Sequence, residues 1–471
     1  MSFDVAVLGG GPAGMAAATE AARSGARVVL LEEGPTPGGQ VYRAPPPGFV
    51  IKPDPDSRTG NALRAALAAS GAELRAGCRV WGVGGGVLVA EGAAPAPFRL
   101  DALAPDGSSF HVESRALVVC AGTHERIIPF PGWTLPGVMG LAAATILMKA
   151  QGVLPGRRVV VAGAGPLLFA VAWKLLRSGA QVPAVVDLAT HGEWARALPA
   201  LAARPDLLAR GMAWRAGLQA RGVPVLAGAR VTAAEGGAML ERVRVAERGF
   251  DCDALCIGHG LVPATEATRT FRAAHRYAAE DGGWVPAIDP DGRCSVPFLY
   301  AAGDGAGVRG AAAAPAAGRL AALAALRDLG ILDASSHARA RSGPARTHAR
   351  AARTGAAMAR MMALRPALVA AIPPETLVCR CEGVTRAEID AACADGAADM
   401  NQLKQFTRCG MGPCQGRLCG EAAAELVALQ AAGRERVGFA TGRLPLRPVA
   451  MDALLGEFDY ADIPVPAAAP I

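Results

Sequence analysis

The sequence predicts an α/β protein with two parallel-sheet nucleotide folds in tandem, the second set inside the first, and a small cysteine-rich domain behind them. Three observations predict it. A strand, a glycine turn, a helix and a second strand open the chain. The same pattern restarts about 154 residues later, Gly9 against Gly163. Six of the eleven cysteines then crowd between Cys379 and Cys419.

Composition bounds the reading. A chain of 471 residues, 52% apolar and 19% charged, holds enough material for two or three cores and excludes general disorder. The formal charge is +7, yet only Lys52, Lys149, Lys174 and Lys404 are lysines among 48 basic residues. No basic patch is interleaved with aromatic residues, so the charge does not point to nucleic acid. The longest charge-free stretch, Ile127 to Met148, is interrupted by Pro129, Pro131, Pro136 and three glycines, which argues against a transmembrane segment. A glycine motif beginning at Gly9 leaves no room for a signal peptide, and a cytoplasmic location is expected. Structural disulfides are disfavoured there, so the cysteines need another role.

The opening unit comes first. Residues 3–8 read as a buried strand, Pro12 to Ser24 as a helix, and Val28–Leu31 as a strand ending at Glu32. Between the first strand and the helix, Gly9-Gly10-Gly11-Pro12-Ala13-Gly14 fits G-x-G-x-x-G. The first glycine permits the turn, the second lets backbone approach a pyrophosphate, and the third lets helix and strand pack closely. The helix N-terminus faces the phosphates. Glu32 stands where a carboxylate grips a ribose hydroxyl. Pro12 and Ala13 complete the loop. Leu117–Cys120 reads as a further strand running into Gly122, and Gly39-Gln40 follow the Glu32 strand. Phe298–Ala302 reads as the strand that returns to this fold, and Gly303-Asp304 follow it. That last pair resembles the late Gly-Asp motif of the two-dinucleotide-binding flavoproteins, which implies FAD in the first site.

The second unit runs through the strand Arg157–Ala162, the loop Gly163-Ala164-Gly165, the helix Leu167–Ser178 and the strand Val182–Val186 ending at Asp187. Gly163, Gly165 and Asp187 are the candidate nucleotide contacts. Leu168 stands where the third glycine belongs, so NAD, another adenine nucleotide and an empty fold all remain open. No C-x-x-C occurs, which speaks against a dithiol reductase. Cys252 and Cys256 read as core residues, and His124 and His259 have no evident catalytic partner.

Cys379-Arg-Cys381, then 32 intervening residues, then Cys414-x4-Cys419 is a set of four soft ligands suited to an iron–sulfur cluster, with four-cysteine zinc as the alternative. The pattern resembles the bacterioferritin-associated-ferredoxin-like (BFD-like) [2Fe-2S] domain, although its closing pair is wider here. That resemblance places Cys409 at a non-ligand position, with its substitution for Cys419 as the alternative.

Three stretches carry a wider resemblance: Pro37 to Arg43; Ala121-Gly-Thr-His-Glu-Arg126 with Phe130 to Val138; and Thr407 to Arg417. On these the chain resembles the α (A) subunits of bacterial FAD/[2Fe-2S] amino-acid and opine dehydrogenases. That group includes the α-type subunits of octopine/nopaline oxidase and of D-hydroxyproline and proline dehydrogenases, and the corresponding chain of hydrogen cyanide synthase. The resemblance implies a tandem Rossmann-like two-dinucleotide-binding flavoprotein fold with a C-terminal BFD-like [2Fe-2S] domain. It also implies a β subunit that carries a second flavin and the substrate site, often joined by a small ferredoxin-like γ subunit. The chain would then relay electrons. A stand-alone NADH-dependent reductase is the alternative, and a non-enzymatic scaffold is the weakest reading. The expected divisions are an FAD domain over 1–125 and 265–330, an inserted nucleotide domain over 126–264, an Arg/Ala-rich helical linker over 331–374, the cluster domain over 375–435 and a tail over 436–471.

Overall fold

The structure, a computed structural model, describes residues 2–45, 48, 55–86, 96–431 and 433–454. The expected proline-rich loop near Ala44–Pro55 and the proline-rich end of the chain fall largely or wholly outside these residues.

Buried β-branched and leucine side chains build the first sheet. Ser2–Leu8 lies parallel to Val28–Glu32 on one side and to Ser109–Val119 on the other, and Glu73–Ala76 extends the parallel edge beyond Val28–Glu32. The long strand Ser109–Val119 serves two partners on its far side. Its first half pairs antiparallel with Phe98–Leu103, which leads to Arg79–Gly84, and its last residues pair parallel with Leu299–Ala301. The chain therefore leaves this sheet after Val119 and returns to the neighbouring position some 180 residues later.

The second sheet is wholly parallel. Its strands run in the order Val225–Ala227, Val185–Asp187, Val159–Gly163, Ala254–Gly258, Val138–Gly140. Cys252 and Cys256 are buried in its cores, and burial pushes both thiols up to about 12. A two-stranded ribbon, Thr123–Glu125 against Leu261–Pro263, carries the chain into and out of this fold. Ile127 to Met148 supplies a loop, the edge strand Val138–Gly140 and the short helix Leu141–Ile146 rather than one long helix. Among the described residues no helix is long and apolar enough to cross a membrane.

Alanine and glycine set how close the helices come. Pro12–Arg23 packs on the sheet and against Ala314–Asp328 through Ala17, Ala18, Ala21, Ala321 and Ala325, all buried. Gly318 faces the carbonyl of Ala13 so closely that a Cβ would overlap it. The arginine-rich stretch forms the helix Ala334–Met361, capped by Asp333, whose carboxylate accepts from the N–H groups of Ser335 and Ser336. It is only partly solvated. Ala351, Thr354, Gly355, Ala357, Ala359 and Met361 are buried, and Thr354 Oγ1 donates to Ala200 O at 2.9 Å.

The cysteine-rich region is a small unit with its own core of Val378, Ile389, Leu403, Ala423, Leu426 and Val427. A short antiparallel pair, Leu377–Cys379 with Val384–Thr385, precedes the helices Arg386–Ala394, Met400–Thr407 and Gly420–Gln430. Thr385 and Glu388 form a reciprocal N-terminal cap, and Asp399 caps the next helix.

Replacing Gly318 by valine forces Ala13 and its helix away from Ala314–Asp328. Overpacking of this kind costs about 1–3 kcal/mol. A lowered urea midpoint with an unchanged slope is the expected result.

Candidate functional site

The first glycine loop sits at the carboxyl end of the parallel strands. Gly9 donates to Leu31 O at 2.8 Å and adopts φ 99°, which a side chain would strain. A Cβ on Gly14 would overlap the carbonyl of Gly9, so only glycine brings helix and strand this close. A Cβ on Gly11 would meet nothing within 4 Å. It faces a cavity of about 640 Å3.

That cavity gathers most of the residues expected from sequence. Gly9, Gly11, Pro12, Ala13, Glu32, Gly39, Gln40, Gly122, Gly303 and Asp304 line it, and Gly14 stands behind as the packing glycine. Gly38 donates to Gly10 O at 2.8 Å, which folds the Gly38–Gln40 turn onto the glycine loop. Glu32 Oε2 accepts from the N–H of Gly10 at 2.6 Å and Oε1 from that of Gly34 at 2.7 Å. Burial raises the Glu32 pKa, and those two N–H groups pull against it. Asp304 Oδ1 accepts from the N–H groups of Arg309 at 2.9 Å and Gly310 at 2.7 Å, while burial raises its pKa.

The residues fit FAD. A carboxylate stands at the ribose end, an open glycine faces the pyrophosphate position, and Arg43 in the wall has a buried Nε with no partner among the described residues.

The cysteines assemble differently from the sequence expectation. The sulfur atoms of Cys379, Cys409 and Cys419 lie within 4.8 Å of one another. Cys381 and Cys414 form an adjoining hydrogen-bonded pair. Cys409, set aside on its position in the motif, thus belongs to the buried trio. Hydrogen bonds from Cys409 and Cys419 draw the Cys379 pKa far down, aided by the N–H groups of Gly410 and Glu382. The same contacts push Cys409 up to about 12 and raise Cys419 further. Three sulfur atoms gathered this closely are a donor set suited to a soft metal, whose binding would release their protons. The loop that presents it is tight. Arg408, Gly410, Gln415 and Gly416 all adopt positive φ, and Gly412 packs against the Cys381 Cβ where no side chain fits. Cys393 is half-buried against the same core.

The cysteine loop touches the flavin cavity through Arg417. Its Nε pairs with Glu266 Oε1 at 2.8 Å, and Nη2 donates to Leu446 O at 2.8 Å. Burial works to raise the Glu266 pKa, and the Arg417 guanidinium with His124 outweighs it, so the carboxyl stays below its ordinary range. Glu266, Arg417 and Leu446 line both the flavin cavity and an adjoining cavity of about 440 Å3 whose walls include Cys409 and Gly410. Sequence reading did not single out Arg417 or Glu266, although Arg417 closes the third matching stretch. His124 borders the adjoining cavity with Nδ1 unpartnered among the described residues, and burial lowers its pKa to about 4. His259 is structural: its Nδ1 accepts from the N–H of Ile128 at 3.1 Å, and burial lowers its pKa to about 3.

In the second fold, Gly163 and Gly165 form the expected loop after Val159–Gly163. Asp187 is fully buried, with Oδ1 accepting from Ala189 N at 2.9 Å and Oδ2 from Trp194 Nε1 at 2.8 Å. Leu168 is fully buried in the core of this fold.

Comparison with known proteins agrees with this architecture. The pyridine nucleotide-disulphide oxidoreductase family matches residues 3–321, and the sarcosine oxidase A3 domain matches residues 374–457. The chain is thus a flavin-dependent oxidoreductase of the pyridine nucleotide-disulphide oxidoreductase family. The A-type subunit of opine oxidase from Agrobacterium tumefaciens (strain Ach5) is 37% identical, over 96% of this chain and 91% of that one. The HcnB subunit of hydrogen cyanide synthase from Pseudomonas protegens is 35% identical, over 96% and 97%. Within the oxidoreductases, this chain belongs to the family of these two proteins. Among solved structures, L-proline dehydrogenase from P. horikoshii shares the fold, with a TM-score of 0.69 at 20% identity, over 97% of this chain and 80% of that one.

The buried charges make two checkable statements. Arg417→Met leaves the half-buried Glu266 without its cation, which costs about 2 kcal/mol, less than the same loss in a fully buried pair. Thermal unfolding of the variant should start at clearly lower temperature. For His259 the folded pKa lies below the unfolded one, so its contribution is complete above pH 6.5 and is lost as pH falls. Between pH 6.5 and 5 the loss is about 2 kcal/mol. Denaturant titrations across that range should show it, and His259→Asn should flatten the dependence.

Proposed function

We propose that this chain is the electron-relaying subunit of a multi-subunit dehydrogenase that oxidises an amino acid or a secondary amine of the proline, hydroxyproline, glycine or opine type. The observation that carries the reading is the shared wall: Arg417, two residues before Cys419, closes the FAD cavity on one side and the cysteine centre on the other. The relatives' names support the rest. One is part of opine oxidase and another of hydrogen cyanide synthase, and both are named as subunits, so a partner β subunit with its own flavin would hold the amine. A small ferredoxin-like γ subunit would complete the set, in the cytoplasm.

In this reading Gly9, Gly11, Pro12, Ala13, Gly14, Glu32, Gly39, Gln40, Gly122, Gly303 and Asp304 hold FAD. Cys379, Cys381, Cys414 and Cys419 would hold a [2Fe-2S] cluster, with Cys409, which shares the buried trio with Cys379 and Cys419, as the thiol placed to replace Cys419. When bound, flavin and cluster convert two-electron oxidation into single-electron transfers. The protein's part is to hold both sites. Glu266, Arg417 and Leu446 form the wall between them, and the N–H groups of Gly410 and Glu382 aim at Cys379 sulfur. The domain divisions follow the same roles, with the cluster domain as a separate unit against the flavin fold.

Anaerobic reduction tests this. Dithionite should bleach the flavin band and produce the electron paramagnetic resonance signal of a reduced [2Fe-2S] cluster, while NADH should leave the flavin oxidised. Stoichiometric bleaching by NADH would instead make the chain a self-sufficient reductase. Cys409→Ala should retain iron and Cys419→Ala should lose it. The reverse pattern would exchange their roles.

A further inference from the structure

The two glycine loops of this chain differ at one point. The second glycine of such a loop lacks a Cβ so that a pyrophosphate can reach the backbone. At Gly11 that space is open and leads into the FAD cavity. At Gly165 it is taken. A Cβ built there would lie 2.7 Å from the sulfur and 2.8 Å from Cγ of Met362.

The main chain of Met362 is held in that place. It ends the helix Ala334–Met361, and its N–H bonds back to Met358 O and Ala359 O. Its carbonyl accepts from Arg126 Nη1 at 2.9 Å, and Arg126 is 2% exposed. Gly260 lies under the same carbonyl with no room for a side chain. The helix behind it is anchored on the second fold, where Ala357 and Met361 pack with Ala197 and Leu201. The ribose end is closed as well. Asp187 is 0% exposed, whereas Glu32 in the first fold borders its cavity.

We propose that Met362 is the residue that shuts the second dinucleotide cleft. Its thioether stands where the pyrophosphate of NAD(H) would lie, so the fold persists as a packing platform for the helix Ala334–Met361 and takes no nicotinamide dinucleotide. This goes beyond the relay reading and does not require the cysteine cluster.

The test is a titration of the full-length flavoprotein with NADH, followed by calorimetry and by hydrogen exchange of the amides at 163–168. Wild type should show no saturation at millimolar NADH and no added protection. Met362→Ala should bind at least tenfold more tightly and protect those amides, the milder Met362→Val should fall between, and Met362→Leu, which restores the bulk, should behave as wild type. Micromolar binding by wild type, which needs no variant to fold, would overturn the proposal. So would equal affinities of folded Met362→Val and Met362→Leu. Binding by wild type without flavin bleaching would sink this inference and leave the relay reading standing.

Discussion

One buried guanidinium joins the parts of this molecule. Arg126 leaves the ribbon that connects the two nucleotide folds. It donates to Met362 O at the end of the long helix and to Gly282 O in the turn that joins the antiparallel strands His275–Ala278 and Gly283–Pro286, and it lies 3.9 Å from Glu421 of the cysteine-rich unit. Its main chain is fixed too, with its N–H donating to Gly260 O and its carbonyl accepting from His259. Burial lowers its pKa, and the nearby Glu421 carboxylate opposes that. A charge this deep is tolerated only with its partners in place, so each element that supplies one is held in register with the others.

The second joint is the ion pair of Arg417 and Glu266. It lies where the flavin cavity, the cysteine loop and the segment after Val437 meet. That segment is pinned by Leu446, whose N–H donates to Trp81 O at 2.7 Å, and by Phe439, which packs edge-on against Trp284 and under the Arg269 guanidinium. The strap therefore reaches back to the first sheet. Two sites built from residues some 400 positions apart in sequence share a wall, and these contacts tie the cysteine unit to the flavin fold.

The two nucleotide folds show how a shared topology diverges. Both place a glycine turn between a buried strand and a helix that begins with proline. In the first the helix partner is alanine-rich and packs behind the loop, leaving the front open. In the second the helix Ala334–Met361 crosses to the front, and its last turn covers Gly165. The arginine-rich composition of that helix reads as a solvated linker, because its small buried residues, Ala351, Gly355 and Ala357, carry no hydrophobic pattern strong enough to announce a packed face.

What the sequence by itself determined was whatever depends on local spacing. The glycine turns, Glu32 and Asp187 at strand ends, the late Gly303-Asp304 pair and the C-x-C and C-x4-C spacings are set by backbone geometry within a few residues, and the tandem α/β fold follows from their repetition. Tertiary structure decided what depends on residues far apart in the chain. Cys409 joins Cys379 and Cys419 because a loop of four positive-φ residues turns it inward, which motif spacing does not encode. Arg417 finds Glu266 across 151 positions. Met362 reaches Gly165 only because a 28-residue helix ends there. Spacing fixes which groups can bind, and packing fixes whether the space in front of them is free.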